Sequence, residues 1–276
     1  MKPDLKPKVA LVTGASTGIG AAIAARLAKA GYRTYGTSRK PDAASPGHGV
    51  RMLQMDVRDS QTIRTCVGTI IDECGRVDVL VNNAGDGIAA AVEETMPDDL
   101  HAQFDTNLYG PLRVCQAVLP HMRAQNAGRI IQITSLTARM AVPFQGAYSA
   151  SKWALEGLSE AMSMELRPFG IDVVMIEPGD TKTGFTSARQ WTKTSVQSDV
   201  YRLRAKHAVA VMEKSEQAGP PADKVARIVQ QAIEARHPRL RYVSVSSTER
   251  MALALQKILP GRMFESLVSS TFTIPR

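Results

Sequence analysis

Of the six tyrosines in this chain, only Tyr148 is followed four residues later by a lysine, Lys152. On a helix that spacing puts the phenol and the ammonium on one face. A phenol titrates near ~10, too high for ready proton exchange at neutral pH, and burial alone raises it further. A nearby cation must offset this, and Lys152 can supply it; a shift of about three units corresponds to roughly 4 kcal/mol of differential stabilisation. Ser135 stands thirteen residues before the tyrosine, at the end of an apolar run, and Asn107 lies further upstream. A proton donor beside a second hydroxyl suits chemistry in which an oxygen gains negative charge. Each residue also has a plain structural reading: Ser135 as a strand-end cap, Asn107 as a helix-start residue, Tyr148 and Lys152 as a packed ring beside a surface charge. The five histidines are dispersed without metal-ligand spacing, so no metal is expected.

A second constellation is TGASTGIG, in which Gly14, Gly18 and Gly20 follow a short apolar run and lead into a helical pattern. Glycines there permit a tight turn, close backbone approach to a pyrophosphate and close helix–sheet packing. The helix N-terminus offers unpaired N–H groups and a favourable dipole to phosphates. Dinucleotide enzymes that prefer NAD place an acid about twenty residues later, at the end of the second strand, to accept the ribose hydroxyl. Here the chain reads Thr37-Ser38-Arg39-Lys40. Arg39 suits a ribose phosphate, while Ser38 leaves room, which points to NADP(H); the plain alternative is a solvated basic turn.

The elements that must position these residues follow from hydrophobic period. Short β-rich runs near 8–12, 33–37, 51–55, 78–82, 129–134, 171–176 and 240–245 alternate with helical patterns near 18–30, 60–74, 97–124, 147–168 and 221–236. The long 97–124 pattern admits a break. Gly31, after Lys29, is expected to close the first helix. This alternation predicts an α/β fold, a doubly wound seven-stranded parallel sheet with helices on both faces. No linker or repeat divides the chain, so residues 1–276 are expected to form a single domain. Residues 183–219 are too long for an ordinary connection and predict a lid, with Val200, Leu203, Val211 and Met212 as the apolar side of a short helix. The segment 248–259 is again helical in pattern, and the tail after Pro260 has no assignable pattern.

Composition narrows the function classes. The net charge is +8, but Lys and Arg are scattered without a basic run or aromatic interleaving, which favours a solvated basic surface or an anionic cofactor over nucleic acid. Cys66, Cys74 and Cys115 form no CxxC pair; Cys66 and Cys74 accompany Ile63, Val67, Ile70 and Ile71 at helical spacing, so buried packing is expected. A reducing cytoplasm fits that usage. The apolar run after the basic start extends only from Val9 to Val12, a buried strand rather than a signal peptide, and no stretch is long enough to predict a membrane span.

The glycine turn departs from GxGxxG, and as TGxxxGxG it resembles that of the short-chain dehydrogenase/reductase family. Asp56-Val57 after the third strand, Asn82-Asn83-Ala84-Gly85 after the fourth, and Pro178-Gly179 with Thr183 after the sixth agree in order and spacing, so the resemblance spans roughly 8–185. Asn107, Ser135, Tyr148 and Lys152 match the family's tetrad position by position. The resemblance implies a single-domain Rossmann fold and hydride transfer between NADP(H) and a small-molecule ketone or aldehyde and its alcohol. Tyr148 would be the general acid/base and Ser135 would steady the oxygen. Lys152 would lower the phenol's pKa and hold the nicotinamide ribose, and Asn107 would bend its helix and hold a relay water. Cofactor contacts are implied at Gly14, Ser16, Thr17, Gly18, Ile19, Gly20, Ser38, Arg39 and Lys40. Further contacts are implied at Asp56 and Val57, which face adenine, at Asn83, Ala84 and Gly85, and at Pro178, Gly179, Thr181 and Thr183, which hold the carboxamide. LRYVSV and its helical tail loosely resemble the steroid and retinol dehydrogenase branch. That suggests an apolar substrate pocket of Phe144, Phe185, Trp191 and the apolar side of 197–212, with His207 either on a substrate polar group or at the surface. Family members pair through helices such as 97–124 and 147–168, so a homodimer or homotetramer is expected. The competing readings are a non-catalytic dinucleotide-binding redox sensor and, on charge alone, a nucleic-acid scaffold.

Overall fold

The computed structural model describes residues 7–41 and 49–272; the start of the chain, 42–48 and the end of the tail lie outside the described residues. The first strand, β1 (Val9–Val12), shows why this sequence builds a buried sheet. Val9 and Leu11 face one core, Ala10 and Val12 the other, so every side chain is apolar and no solvent face is needed. It pairs in parallel with β2 (Arg33–Ser38) on one side, Leu11 opposite Tyr35, and with β4 (Val79–Asn82) on the other, Leu11 opposite Leu80. The remaining strands are β3 (Val50–Gln54), β6 (Gly128–Ile133), β7 (Ile171–Pro178) and β9 (Arg241–Ser244). The seven-stranded parallel order is β3-β2-β1-β4-β6-β7-β9, with a crossover direction that reverses between β1 and β4.

Helices cover both faces. One core joins the sheet to α2 (Ser60–Cys74), α4 (Gly110–Gln125) and α5 (Gly146–Leu166) through residues such as Ile63, Ile70, Val114, Val118 and Met162. The other joins it to α1 (Gly18–Lys29) and α9 (Ala222–Glu234) through Ile23, Leu27, Val225, Val229 and Ile233. Cys66 and Cys115 are buried in the first core and Cys74 packs at its edge, all three as free thiols, in line with a packing role. Gly31, at φ +89, closes α1 as expected: its N–H reaches Ala28 O and the Tyr32 N–H reaches Leu27 O, a Schellman motif.

The expected helix 97–124 is two helices, α3 (Pro97–Phe104) and α4, separated by a π-helical turn at Asp105–Tyr109. The segment 183–219 contains α6 (Phe185–Ala188), β8 (Gln190–Trp191), α7 (Lys193–Gln197) and α8 (Arg202–Ala218); β8 pairs with β5 (Ile88–Ala89) in a small second sheet. The apolar side assigned to this segment needs correction. Val200 and Leu203 are 66% and 77% exposed, because Val200 precedes the helix and the buried stripe of α8 is Ala205, Ala208, Val209 and Met212. At the end of the chain, α10 (Ser247–Ile258) begins at a capping box of Ser246 and Glu249, and α11 (Gly261–Thr271) starts immediately after Pro260. Among the described residues no helix is long and apolar enough to cross a membrane.

The glycines of the first turn differ in what they demand. A Cβ at Gly20 would stand 2.2 Å from Gly14 O and 2.4 Å from Asn83 Nδ2, whereas one at Gly31 meets nothing and only its positive φ objects. Gly31→Ala should cost about 1 kcal/mol. Gly20→Ala should cost more, about 1–3 kcal/mol with a visible drop in Tm, because backbone must move. Equal losses in thermal unfolding of the two variants would contradict this packing.

Candidate active site

The carboxyl ends of β1, β4, β6 and β7 open into one cavity of about 880 Å3, running from Arg39 past Gly14 and Lys152 to α10 and α11. Its position is the crevice at the reversal of strand order, where doubly wound sheets bind ligands.

At one end the wall is backbone. Gly14 and Gly18 have φ of +62 and +58, and a Cβ on Gly14 would press within 2.9 Å of Ala84 Cα. Thr13 Oγ1 accepts from the N–H groups of Asn83 and Ala84, and Asn83 Nδ2 donates to Thr13 O and Gly14 O, so the turn and the segment after β4 form one unit. Thr17, at the N-cap of α1, makes no side-chain cap, which leaves the first-turn N–H groups for a ligand. Ser16, Thr17, Gly18 and Ile19 line this end, as do Ser38, Arg39, Asp56, Val57, Ala84 and Gly85. Two expected contacts do not: Gly20 packs beneath the Gly14 carbonyl, and Lys40 is exposed with its N–H on Ser38 Oγ at 3.2 Å. Arg58, which sequence reasoning missed, joins the wall; its guanidinium grips Asp56 at 2.7 and 3.0 Å and holds that carboxyl below the usual range.

In the middle, α5 presents Tyr148 and Lys152 one turn apart, with Lys152 Nζ 5.7 Å from the Tyr148 ring centre. Lys152 is 5% exposed and its Nζ donates to Ile133 O at 2.9 Å. Burial pulls its pKa down to about 8, although the Asp86 and Glu156 carboxylates resist. Burial likewise pushes the Tyr148 phenol up to about 12; a hydrogen bond with Ser135 opposes the rise, Glu216 adds to it, Arg189 opposes and Asp86 adds. The offset expected of Lys152 acts together with oxidised nicotinamide; in the chain by itself the phenol stays above its ordinary value. The Lys152 Nζ is held by the Ile133 carbonyl, and desolvation lowers its pKa while leaving it largely charged at neutral pH.

Ser135 stands two residues after β6 and caps a short 3-10 turn, Leu136–Ala138, accepting from Thr137 N–H at 3.1 Å. Asn107 sits inside the π-helical turn, where the extra residue shifts it off the helical register. Its Oδ1 accepts from Asp86 N–H at 3.0 Å, and its Nδ2 donates to Asp86 O at 2.9 Å and to Ser151 Oγ at 3.0 Å. Asp86 was not singled out, though it directly follows Asn82-Asn83-Ala84-Gly85. Gln103 and Thr106 hold its carboxylate at the cavity wall, and burial raises its pKa.

Pro178, Gly179, Thr181 and Thr183 all line the cavity beyond Tyr148, with Thr183 over Gly18. Of the three aromatic residues expected in the substrate pocket, Phe185 is on the wall, its ring 5.6 Å from Tyr148. The other two are not, and His207 follows its surface reading. Phe144, at φ +61, is buried in a third cluster with Ala91, Ala205, Ala208 and Met212, and Trp191 packs against that cluster. His207 is exposed on the outer side of α8. Val211 and Met212, the end of the expected 197–212 side, also line the cavity, and the rest of the apolar wall comes from Met140, Val142, Leu255, Phe264, Leu267 and Phe272, the last four on or beside the two C-terminal helices. Glu249 fastens them to the site: besides capping α10, its Oε1 accepts from Asp180 N–H at 2.7 Å. Across the cavity, Arg189 and Glu216 pair at 2.5 Å with side-chain exposures of 1% and 15%, fixing the segment after Thr183. The sequence signal for this wall was Ser246-x-x-Glu249 ahead of an apolar run.

Comparison with known proteins follows the same outline. The sequence profile described as short chain dehydrogenase matches residues 8–193. The 3-ketodihydrosphingosine reductase of Bacteroides thetaiotaomicron is 41% identical over 238 residues, 86% of this chain and 87% of that one. Human 17-beta-hydroxysteroid dehydrogenase type 1 is 33% identical over 260 residues, 88% of this chain and 78% of that one. A short-chain dehydrogenase structure from Streptomyces avermitilis superposes with a TM-score of 0.80 at 30% identity, covering 98% of this chain and 100% of the other.

The depressed Lys152 pKa has a stability consequence. Below about pH 8 the folded protein holds a buried charge, a cost of about 3 kcal/mol. This cost declines as pH rises from about 8 towards 10.5, where the unfolded lysine also loses its proton. Lys152→Met should raise stability at pH 7 by about 1–3 kcal/mol and have little effect near pH 10.5, read from urea unfolding at both. A variant less stable than wild type at pH 7 would refute the account.

Proposed function

The chain belongs to the short-chain dehydrogenase family, and we propose that it uses NADP(H) to interconvert a ketone carrying a long apolar substituent and the corresponding alcohol. That it is an oxidoreductase acting on alcohol or carbonyl groups with an NAD(P) cofactor follows from the family. The observation that carries the finer reading is the continuity of one cavity: Tyr148, Lys152 and Ser135 share it with an apolar wall from α10 and α11. The relative named for 3-ketodihydrosphingosine, a ketone on a long alkyl chain, supports the same substrate class.

The residues present fit a dinucleotide. Gly14 and Gly18 form a cradle that side chains would fill, and the uncapped start of α1 suits a pyrophosphate. Asp56 and Val57 would border the adenine, Asn83, Ala84 and Gly85 would flank the nucleotide, and Lys152, Tyr148, Thr181 and Thr183 would hold the nicotinamide end. When bound, the nicotinamide supplies or accepts the hydride. The chain's own part is the proton. With its pKa near 12, the Tyr148 phenol stays protonated through neutral pH and donates to the carbonyl oxygen during reduction. Ser135 donates a hydrogen bond to the same oxygen. In the oxidative direction the phenol must first lose its proton, so that direction gains from rising pH. Exposed Tyr109, Trp153, Met164 and Phe169, on or beside α4 and α5, support a homo-oligomer joined through that face.

Arg39 lies on the cavity wall directly after β2, whose last residues Thr37 and Ser38 carry no acid, which supports the phosphorylated cofactor. Hydrogen bonds to charged groups contribute roughly 1.5–3 kcal/mol, so Arg39→Ala should weaken NADPH about ten- to a hundredfold and leave NADH nearly unchanged in a binding titration. Equal loss for both would remove Arg39 as discriminator.

Turnover itself is tested with ketones of increasing alkyl length. kcat/KM should rise with length, and Tyr148→Phe should abolish reduction while NADPH still binds. Dinucleotide binding without turnover on any ketone or aldehyde would instead support a redox sensor.

A further inference from the structure

A serine hydroxyl has two acceptor positions and one proton. Both acceptor positions of Ser135 are taken by a single neighbour: Thr137 donates its N–H at 3.1 Å and its Oγ1–H at 2.9 Å. The Ser135 proton is the hydrogen-bonding capacity that remains, and Ser135 and Tyr148 line the same cavity. Thr137 is itself anchored. Its carbonyl accepts from the Trp153 indole N–H at 2.6 Å, and Trp153 follows Lys152 on α5.

We propose that Thr137 is a positioning residue that fixes the polarity of Ser135, so that Ser135 donates to the reacting oxygen and cannot accept the proton Tyr148 must deliver. The inference rests on the reading of Ser135 given above and adds a residue to it. If Ser135 had a free acceptor position, the Tyr148 O–H would have two competing targets, the serine and the carbonyl. A phenol bonded to the serine is turned away from the carbonyl, and the oxygen loses both donors at once. Because Trp153 and Tyr148 belong to one helix, α5 sets the phenol directly and the serine through Thr137. The two donors therefore share one frame.

Thr137→Val tests this, since it keeps the branched shape and the N–H but opens one acceptor position on Ser135. Loss of a single oxyanion donor costs about a hundred- to a thousandfold in other enzymes, so misdirecting one should lower kcat for ketone reduction about tenfold, with KM and the NADPH Kd within about twofold. Thr137→Ser restores the hydroxyl and should restore kcat. In the Ser135→Ala background, followed by single-turnover reduction, Thr137→Val should have no further effect. The proposal is overturned by a wild-type kcat in Thr137→Val, by a Thr137→Ser variant as slow as the valine, or by a tenfold loss that persists without Ser135. If Ser135→Ala alone leaves kcat intact, the role of Ser135 itself fails, and that outcome is separate from the other three.

Discussion

An ammonium group cannot be withdrawn from water without partners, and the arrangement at the sheet's carboxyl end is organised around that need at Lys152. Its Nζ is bound by Ile133 O, the last carbonyl of β6, so β6 must end there and α5 must cross at that height. Asp86 and Glu156 favour the charged form. Asp86 in turn depends on Gln103 and Thr106, and its backbone on Asn107, which also reaches Ser151 beside the lysine. The π-helical turn is the means by which Asn107 makes these contacts. A regular helix through 105–109 would turn its side chain elsewhere.

The same burial that lowers Lys152 raises Tyr148, because an anion and a cation are penalised alike in a dry site. The two shifts bring the groups' titration ranges into reverse order relative to water, phenol at about 12 and ammonium at about 8. By itself the chain thus rests with a neutral, proton-bearing tyrosine.

Where local chemistry dictates structure, the sequence was legible. Gly14 and Gly18 need left-handed backbone, Tyr148 and Lys152 need one helix face, and alternation in Val9–Val12 needs two cores; each stands where its residue type requires. Where an assignment depends on phase or on distant packing, it was not. Val200 and Leu203 are apolar, yet the start of α8 decides which stripe is inside, and that start carries no side-chain cap. The break at Asp105–Tyr109 has no periodic signature, since a π turn adds one residue to an otherwise helical run. The long insertion and the loose resemblance to the steroid and retinol branch suggest Phe144 and Trp191 as pocket walls, but rings suit a core equally, and the third cluster claims them. The tail after Pro260 shows no assignable pattern in the sequence, and the structure makes Pro260 the N-cap of α11.

The link through Glu249 separates the molecule's inheritance into two parts. Nearly everything that handles the dinucleotide and the proton lies before Thr183, whereas most of the apolar wall lies in the last two helices. One carboxylate, capping α10 and receiving the Asp180 N–H, fastens the second part to the first, and Gln256 on α10 adds a bond to the Arg139 carbonyl. Descendants of such a chain are free to drift in α10 and α11 and so change diet without rebuilding the reaction, provided the acid at 249 is kept.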